Sequence, residues 1–256
     1  RKKAIKKAVI NAEPNEIILV AGKGHENSQD YGNKIISISD KEIIKNLKLN
    51  IVKKNYKNYD YIYNSKILNQ IIKSKKFHKF NHLSADSREV KKNNLFLAIK
   101  GKKNDGNKFI SQAIKKGASI IISSTINKKY KNMIFKVGNE ISFLKKFASL
   151  KRDNSKAKII AITGSAGKTS IKNLLHDLLG KFGSTHVSPR SFNNHFGVPI
   201  SLSNLNENHQ YGVFEVGMSN QGEINQLTKM IKPNIGLITN IGEAHMENFK
   251  NIKGIA

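Results

Sequence analysis

The sequence predicts an α/β protein of more than one domain, with at least one parallel sheet and a phosphate-loop motif at its head. Three observations predict it. Two stretches each alternate short runs rich in Ile, Leu and Val with helically spaced apolar residues. One run, Lys158–Thr163, passes at once into a glycine loop and then a helical pattern. A Lys-, Asn- and Tyr-rich stretch without clear period, residues 50–63, separates these units from a shorter one before them.

The first unit opens with a helical spacing at Ala4, Ile5, Ala8, Val9 and Ala12, broken by Pro14 and Asn15. Residues 16–21 then read as a buried strand, followed by a Gly-Lys-Gly-His-Glu loop from Gly22 to Glu26. Ser39 with Glu42 has the form of a capping box opening a short helix through Leu47. Residues 50–63 read as a linker.

In the second unit, Ile67, Leu68, Ile71 and Ile72 predict a helix, and residues 95–99 a strand. Phe109, Ile110, Ala113 and Ile114 predict another helix, with Gly117 at its C-terminus. Residues 118–122 and 133–137 predict two further strands. The third unit starts near Lys156: a strand over 158–163, a helix from Lys168 to about Leu179, strands over 211–216 and 235–239, and a helix beginning near Gly222 between the last two. Domain boundaries follow at 1–49, 50–63, 64–152 and 153–256.

Composition excludes some chemistry. Cysteine is absent, so disulfides and thiolate metal sites are ruled out. No run approaches the roughly 18 apolar residues of a membrane helix. Lys plus Arg total 45 against 18 acidic residues, a net charge of +27. The lysines are dispersed among Asn and Ile, with no cluster of interleaved aromatics, so they read as a compositional bias of the surface and not as a nucleic-acid face. Cytoplasmic residence and a monomer are the expectations.

The strongest motif is Thr163-Gly-Ser-Ala-Gly-Lys-Thr-Ser170. Gly164 and Gly167 let the backbone curl so that amides at Gly164, Ser165, Ala166, Gly167, Lys168, Thr169 and Ser170 point at phosphate oxygens. The helix starting at Lys168 adds its positive end. Lys168 would reach the β- and γ-phosphates, and Thr169 would ligate Mg²⁺. The usual pattern has a glycine five residues before the second one; here that position is Ile162.

This shortened loop resembles the ATP site of the Mur ligase family, which builds the peptidoglycan precursor. Asp86-Ser-Arg88, residues 94–98 and Gly101–Gly106 are similar to the family's UDP-binding domain, although Asn107 stands where the family usually has His. Phe192-Asn-Asn-His-Phe-Gly-Val-Pro199, Glu215–Glu223 and Asn240–His245 also match. The resemblance implies an ATP- and Mg²⁺-dependent ligase with UDP-N-acetylmuramoyl-tripeptide and D-alanyl-D-alanine as its partners. The tripeptide carboxylate would be activated as an acyl phosphate, then attacked by the dipeptide amine. Lys168, Glu215 and His245 would be catalytic; Thr169, Glu215 and His245 would hold metal. Without the family, a strand-end Glu such as Glu215 or a loop His such as His245 is ordinarily a solvated group. Both, however, follow strands of the sheet that carries the phosphate loop, at the edge where such sheets bind ligands.

Ser87 and Arg88 would grip the UDP diphosphate, Arg being suited to bidentate contact, or else form a solvated turn. Asn193 and Asn194 would bind phosphate or peptide, or shape the turn before Gly197. The loop at Gly22 and Glu26 resembles the C-terminal end of the preceding ligase of the same pathway, where the matching residues contact the incoming amino acid. No methionine occurs before Met133, which suggests a fusion of two consecutive enzymes, represented by a fragment spanning their junction. The family's adenine-binding and C-terminal domains would then follow Ala256, and the fragment alone would bind ATP weakly and turn over negligibly. The competing readings are a related ligase, such as one adding glutamate to folate, and a basic nucleic-acid-binding ATPase.

Overall fold

The computed structural model describes residues 2–11, 28–30, 32–37, 39, 43, 59–101 and 104–242. The chain divides into two compact units, residues 1–52 and 53–256. In the first, helix α1 (Lys2–Asn11) follows the predicted spacing, and two short antiparallel strands, β1 (Ser28–Asp30) and β2 (Ile35–Ser37), pair with Ser28 opposite Ser37. The strand expected over 16–21 and the loop with Gly22 and Glu26 lie outside the described residues. So does most of the helix expected after Ser39, although the Ile43 amide does bond to the Ser39 carbonyl at 3.0 Å.

The second unit begins with helix α2 (Tyr59–Ile72), which corrects the reading of residues 50–63 as linker: the helix starts inside it. Polar Asn and Ser side chains mask its period, yet Tyr63, Ile67 and Leu68 are buried, and Asp60 sits in the first turn, where a negative charge suits the helix dipole. A four-stranded sheet follows, all parallel, in the order β3 (Leu83–Ser84), β4 (Asn94–Leu97), β5 (Ala118–Ser123), β6 (Ile134–Lys136). Helix α3 (Ile110–Lys115) links β4 to β5, and Gly117 at φ +102 turns the chain back into the strand. Alternate residues serve opposite faces. Leu95, Leu97, Ile120 and Ile122 meet α2, while Phe96 and Ile121 meet Ile110 and Ala113 of α3. Burial on both faces is why these strands read as unbroken apolar runs.

Helix α4 (Glu140–Asp153) comes next, opened by Asn139, whose side chain accepts from the Ser142 amide at 2.8 Å. Its Phe143, Leu144 and Phe147 enter the first core and its Ala148 the second. The second sheet is again parallel, in the order β10 (Ile235–Ile238), β7 (Lys158–Thr163), β9 (Tyr211–Glu215), β8 (Thr185–Val187). Ile160, Ile162 and Val213 pack against α5 (Lys168–Leu179). Ile159, Ala161 and Phe214 face α6 (Gly197–Ser203) and α7 (Glu223–Ile231).

Two polar joints lie among the elements of this unit. The Asn204 side chain accepts from the Leu83 amide at 2.8 Å and donates to the Leu83 carbonyl at 3.0 Å, on the side of β3 away from β4. Lys151 of α4 is fully buried, donating to Oδ1 of Asn64 at 2.6 Å and of Asn206 at 3.0 Å, with its Nζ 4.3 Å from the Tyr63 ring centre.

Candidate active site

Because the second sheet is parallel, the loops after β7, β8, β9 and β10 all emerge at one edge. A cavity of about 390 Å³ lies there, lined by Thr163, Gly164, Lys168, Asn193, Asn194, Met218, Glu223 and Asn240 among others.

The loop after β7 is held from one side by the loop after β10. The Ser165 amide bonds to the Asn240 carbonyl at 3.1 Å and the Ala166 amide to Asn240 Oδ1 at 2.9 Å. Thr239 Oγ1 donates to the Ala166 carbonyl at 2.5 Å, and Ser165 Oγ both donates to and accepts from Gly242 at 2.9 Å. Gly164 has φ +135, and a Cβ there would stand 2.1 Å from Thr239 Oγ1. Gly164→Ala is therefore expected to destabilise the chain by about 2 kcal/mol or more, measured by urea unfolding. A loss below about 0.5 kcal/mol, the range of an ordinary surface change, would show that the loop relaxes around the methyl group. Gly167 precedes α5 at φ +78. The first turn of α5 leaves its amides without helical partners, facing the place an anion would occupy.

Lys168 folds back over its own loop, donating to the carbonyls of Gly164 at 2.5 Å and Ser165 at 3.5 Å. Thr169 Oγ1 donates to Glu215 Oε2 at 2.9 Å. Glu215 ends β9, one strand over from β7, paired with Ile162. It is buried, its Oε1 accepts from Asn193 Nδ2 at 3.0 Å, and its amide donates to Ser188 Oγ at 3.0 Å. The structure thus brings Thr169, Glu215 and Asn193 together beside the loop. Asn194 shapes the turn, its Oδ1 accepting from the Phe196 and Gly197 amides at 3.0 and 2.9 Å, and it also lines the cavity. His245 lies outside the described residues, as do Gly22 and Glu26.

Ser87 and Arg88 are already engaged in the other sheet's loops. Ser87 Oγ donates to Gln112 Oε1 at 2.6 Å, and Arg88 pairs with Asp86 at 2.7 Å. The guanidinium hydrogen bond holds the Asp86 carboxyl below its usual range. Asn107 is likewise occupied: its Oδ1 accepts from Ser123 Oγ at 2.6 Å and Thr125 Oγ1 at 2.9 Å, and its amide donates to Asp105 at 2.7 Å. Glu89, next to Arg88, forms an ion pair with Arg190 in the loop after β8.

Sequence reasoning missed Lys172, and it gave Glu223 and Asn240 no role beyond their places at the ends of matching segments. Lys172 is buried with its Nζ 3.4 Å from Glu215 Oε2. Its signal was its place one turn after Lys168 on α5, next to Ile171 and three residues before Leu175. Glu223 opens α7 and accepts from the Ser219 amide at 2.7 Å and the Asn220 amide at 3.2 Å. The Ser219 bond, above all, keeps its carboxyl below the ordinary range.

Residues 162–256 match the Mur ligase middle domain, and residues 79–150 match the catalytic domain of the Mur ligase family. This chain belongs to the Mur ligase family. It is 44% identical over 177 residues to the UDP-N-acetylmuramoyl-tripeptide–D-alanyl-D-alanine ligase of Rickettsia prowazekii, covering 69% of this chain and 39% of that protein. The Bacillus subtilis enzyme of the same name is 33% identical over 176 residues, 68% of this chain and 38% of its own length. The chain thus spans about two fifths of the curated relatives it matches. Among solved structures, a MurF from Acinetobacter baumannii superposes with TM-score 0.63 at 30% identity, over 75% of this chain and 44% of that one. The MurF ligase of Thermotoga maritima, solved in complex with ADP, gives TM-score 0.56 at 33% identity, over 68% and 41%.

Proposed function

We propose that this Mur ligase chain carries the UDP-substrate-binding domain and the phosphate-binding half of the ATPase domain of a ligase that joins D-alanyl-D-alanine to UDP-N-acetylmuramoyl-tripeptide in peptidoglycan precursor synthesis. With the whole of α2 included, the domains run over 59–152 and 153–256, and residues 1–49 are the tail of the preceding ligase. The observation that carries the reading is the contact of Thr169 with Glu215 beside the glycine loop. The names of the relatives supply the substrate class.

The residues fit the groups the reading needs. The open loop before α5 and the cavity at its mouth suit a polyphosphate. The Thr169 hydroxyl and Glu215 carboxylate are two hard oxygen ligands, 2.9 Å apart, of the kind Mg²⁺ takes. His245 is proposed to join them through a second metal ion. When bound, ATP with Mg²⁺ supplies the phosphoryl group that activates the tripeptide carboxylate. The chain's own part is electrostatic and positional. Lys168 would leave the Gly164 carbonyl for the β- and γ-phosphates, and the amides from Gly164 to Ser170 would hold them in place. Asn193 fixes Glu215 from the far side of the carboxylate. Ser87 and Arg88 would receive the UDP diphosphate, with Arg88 giving up part of its pairing to Asp86. No helix among the described residues is long and apolar enough to cross a membrane; a cytoplasmic site for the reaction is proposed from the nucleotide-activated substrates alone.

The test is ATP hydrolysis by the protein encoded by the complete gene. Release of phosphate should require both UDP-N-acetylmuramoyl-tripeptide and D-alanyl-D-alanine, and DNA or RNA should not replace them. Stimulation by nucleic acid alone would sink the assignment. The 256 residues by themselves are expected to bind nucleotide weakly and turn over negligibly; steady ligation by them would contradict the proposed domain division.

A further inference from the structure

The Lys172–Glu215 contact has no part in the reaction proposed above, yet it constrains how a metal can reach this site. Both side chains are 2% exposed, with Nζ 3.4 Å from Oε2. Lys172 also donates to the carbonyl of Arg190, a residue held at φ +49. The ammonium is therefore pinned from two sides and cannot swing into water. Oε2 is the oxygen that also accepts from Thr169, while Oε1 is taken by Asn193. A cation seated between Thr169 and Glu215 would need Oε2, the oxygen that already faces a fixed positive charge.

The balance of charge decides what can bind there. A bare divalent ion would approach Lys172 and Lys168 with one carboxylate to receive it. Among the described residues no group of three or more His, Cys, Asp or Glu is arranged to hold a metal. Repulsion between like charges is strong in a buried setting, where little water screens it. A metal carried on a nucleotide polyphosphate arrives instead as a net anion, and both lysines then attract it.

We propose that Lys172 is a positioning residue, acting through Glu215, that makes this site accept the metal–nucleotide complex and reject the bare divalent cation. This rests on the nucleotide-site reading given above. The test uses the protein encoded by the complete gene and two probes: Mn²⁺ alone, followed by the electron paramagnetic resonance of the free ion, and a fluorescent ADP derivative with Mg²⁺. Wild type should bind bare Mn²⁺ poorly. Lys172→Met should bind it about tenfold more tightly, while its affinity for Mg²⁺–ADP falls several-fold. Lys172→Arg, which keeps the charge, should bind bare Mn²⁺ as poorly as wild type. A merely structural lysine would leave bare Mn²⁺ binding unchanged or weaker in Lys172→Met, and that result overturns the proposal. If Lys172→Met does not fold, Lys172→Gln, which keeps a donor for the Arg190 carbonyl, takes its place with the same expectations. Failure of wild type to bind Mg²⁺–ADP would instead overturn the nucleotide-site reading itself, whereas binding of Mg²⁺–ADP with no gain in Mn²⁺ affinity would overturn the role of Lys172 alone.

Discussion

Lys168→Ala, made in the protein encoded by the complete gene, should lower kcat by about a thousandfold or more, the scale on which a charged group stabilises phosphoryl transfer. The effect should fall on turnover and not on folding. Lys168 is partly exposed, and its contacts in this structure go to two carbonyls of its own loop. Losing those bonds frees carbonyls that water can reach, so thermal unfolding should move little. Steady-state kinetics with both amino-acid-bearing substrates saturating, beside a melting curve, checks the two halves together. Near-normal turnover would remove Lys168 from the mechanism. A collapse in melting temperature would recast it as a structural residue of the loop.

The second large effect concerns stability. Burial pushes the Lys151 ammonium down to about 7, against partial support from Asp60 and Glu207. In the unfolded chain the same lysine keeps its proton to about 10.5. Between these values the unfolded state binds the extra proton, so raising the pH favours the folded state. Stability should climb from pH 7 to about 9.5, by up to about 1.4 kcal/mol per unit. Neighbouring groups titrate elsewhere. Burial lowers His82, His186 and His209, the last to about 4, so their contributions lie below pH 7. Asp60 is raised by burial from an acidic starting value. Tyr63 is raised above its usual 10, which weakens the fold only at still higher pH. Lys151→Met should flatten the slope between pH 7 and 9.5 in urea unfolding. At pH 7 its net effect should be small, because relief of the buried amine is offset by two Asn oxygens left without a donor, at about 1–3 kcal/mol each. An unchanged slope would show that Lys151 holds its proton in the folded state.

Much of this was legible in the chain. Three of the four strands in each sheet were, because strands covered on two faces read as runs such as Ala118–Ser123 and Lys158–Thr163, whereas β3, only two residues long, was not. The loop from Gly164 to Ser170 was legible too, since a backbone that must curl needs glycine at defined places. The start of α2 was obscured by Asn64 and Ser65, polar residues that are buried because they serve hydrogen bonds to Phe80, Asn81 and His78. Strand β8 escaped because Thr185, His186 and Val187 are only half-buried at the sheet's edge. Helix α4 was a different failure: Asn139 and the spacing of Phe143, Leu144, Phe147 and Ala148 announce it plainly enough. The partners of Glu215 were the least legible part. Asn193 was singled out with two alternatives open, and Lys172 had no motif around it. Their convergence depends on β8, β9 and α5 meeting at one corner, which no local pattern encodes.

The side chain of Asn204 has a consequence for behaviour in concentrated solution. Strand β3 is the outermost of its sheet, and its far side would otherwise offer a donor and an acceptor to any extended segment of another molecule. By satisfying both backbone groups of Leu83, one amide imitates a neighbouring strand and ends the ladder there. A chain with so short a border strand, plugged in this way, gives foreign β-segments little to add to, and is guarded at that margin against intermolecular sheet growth.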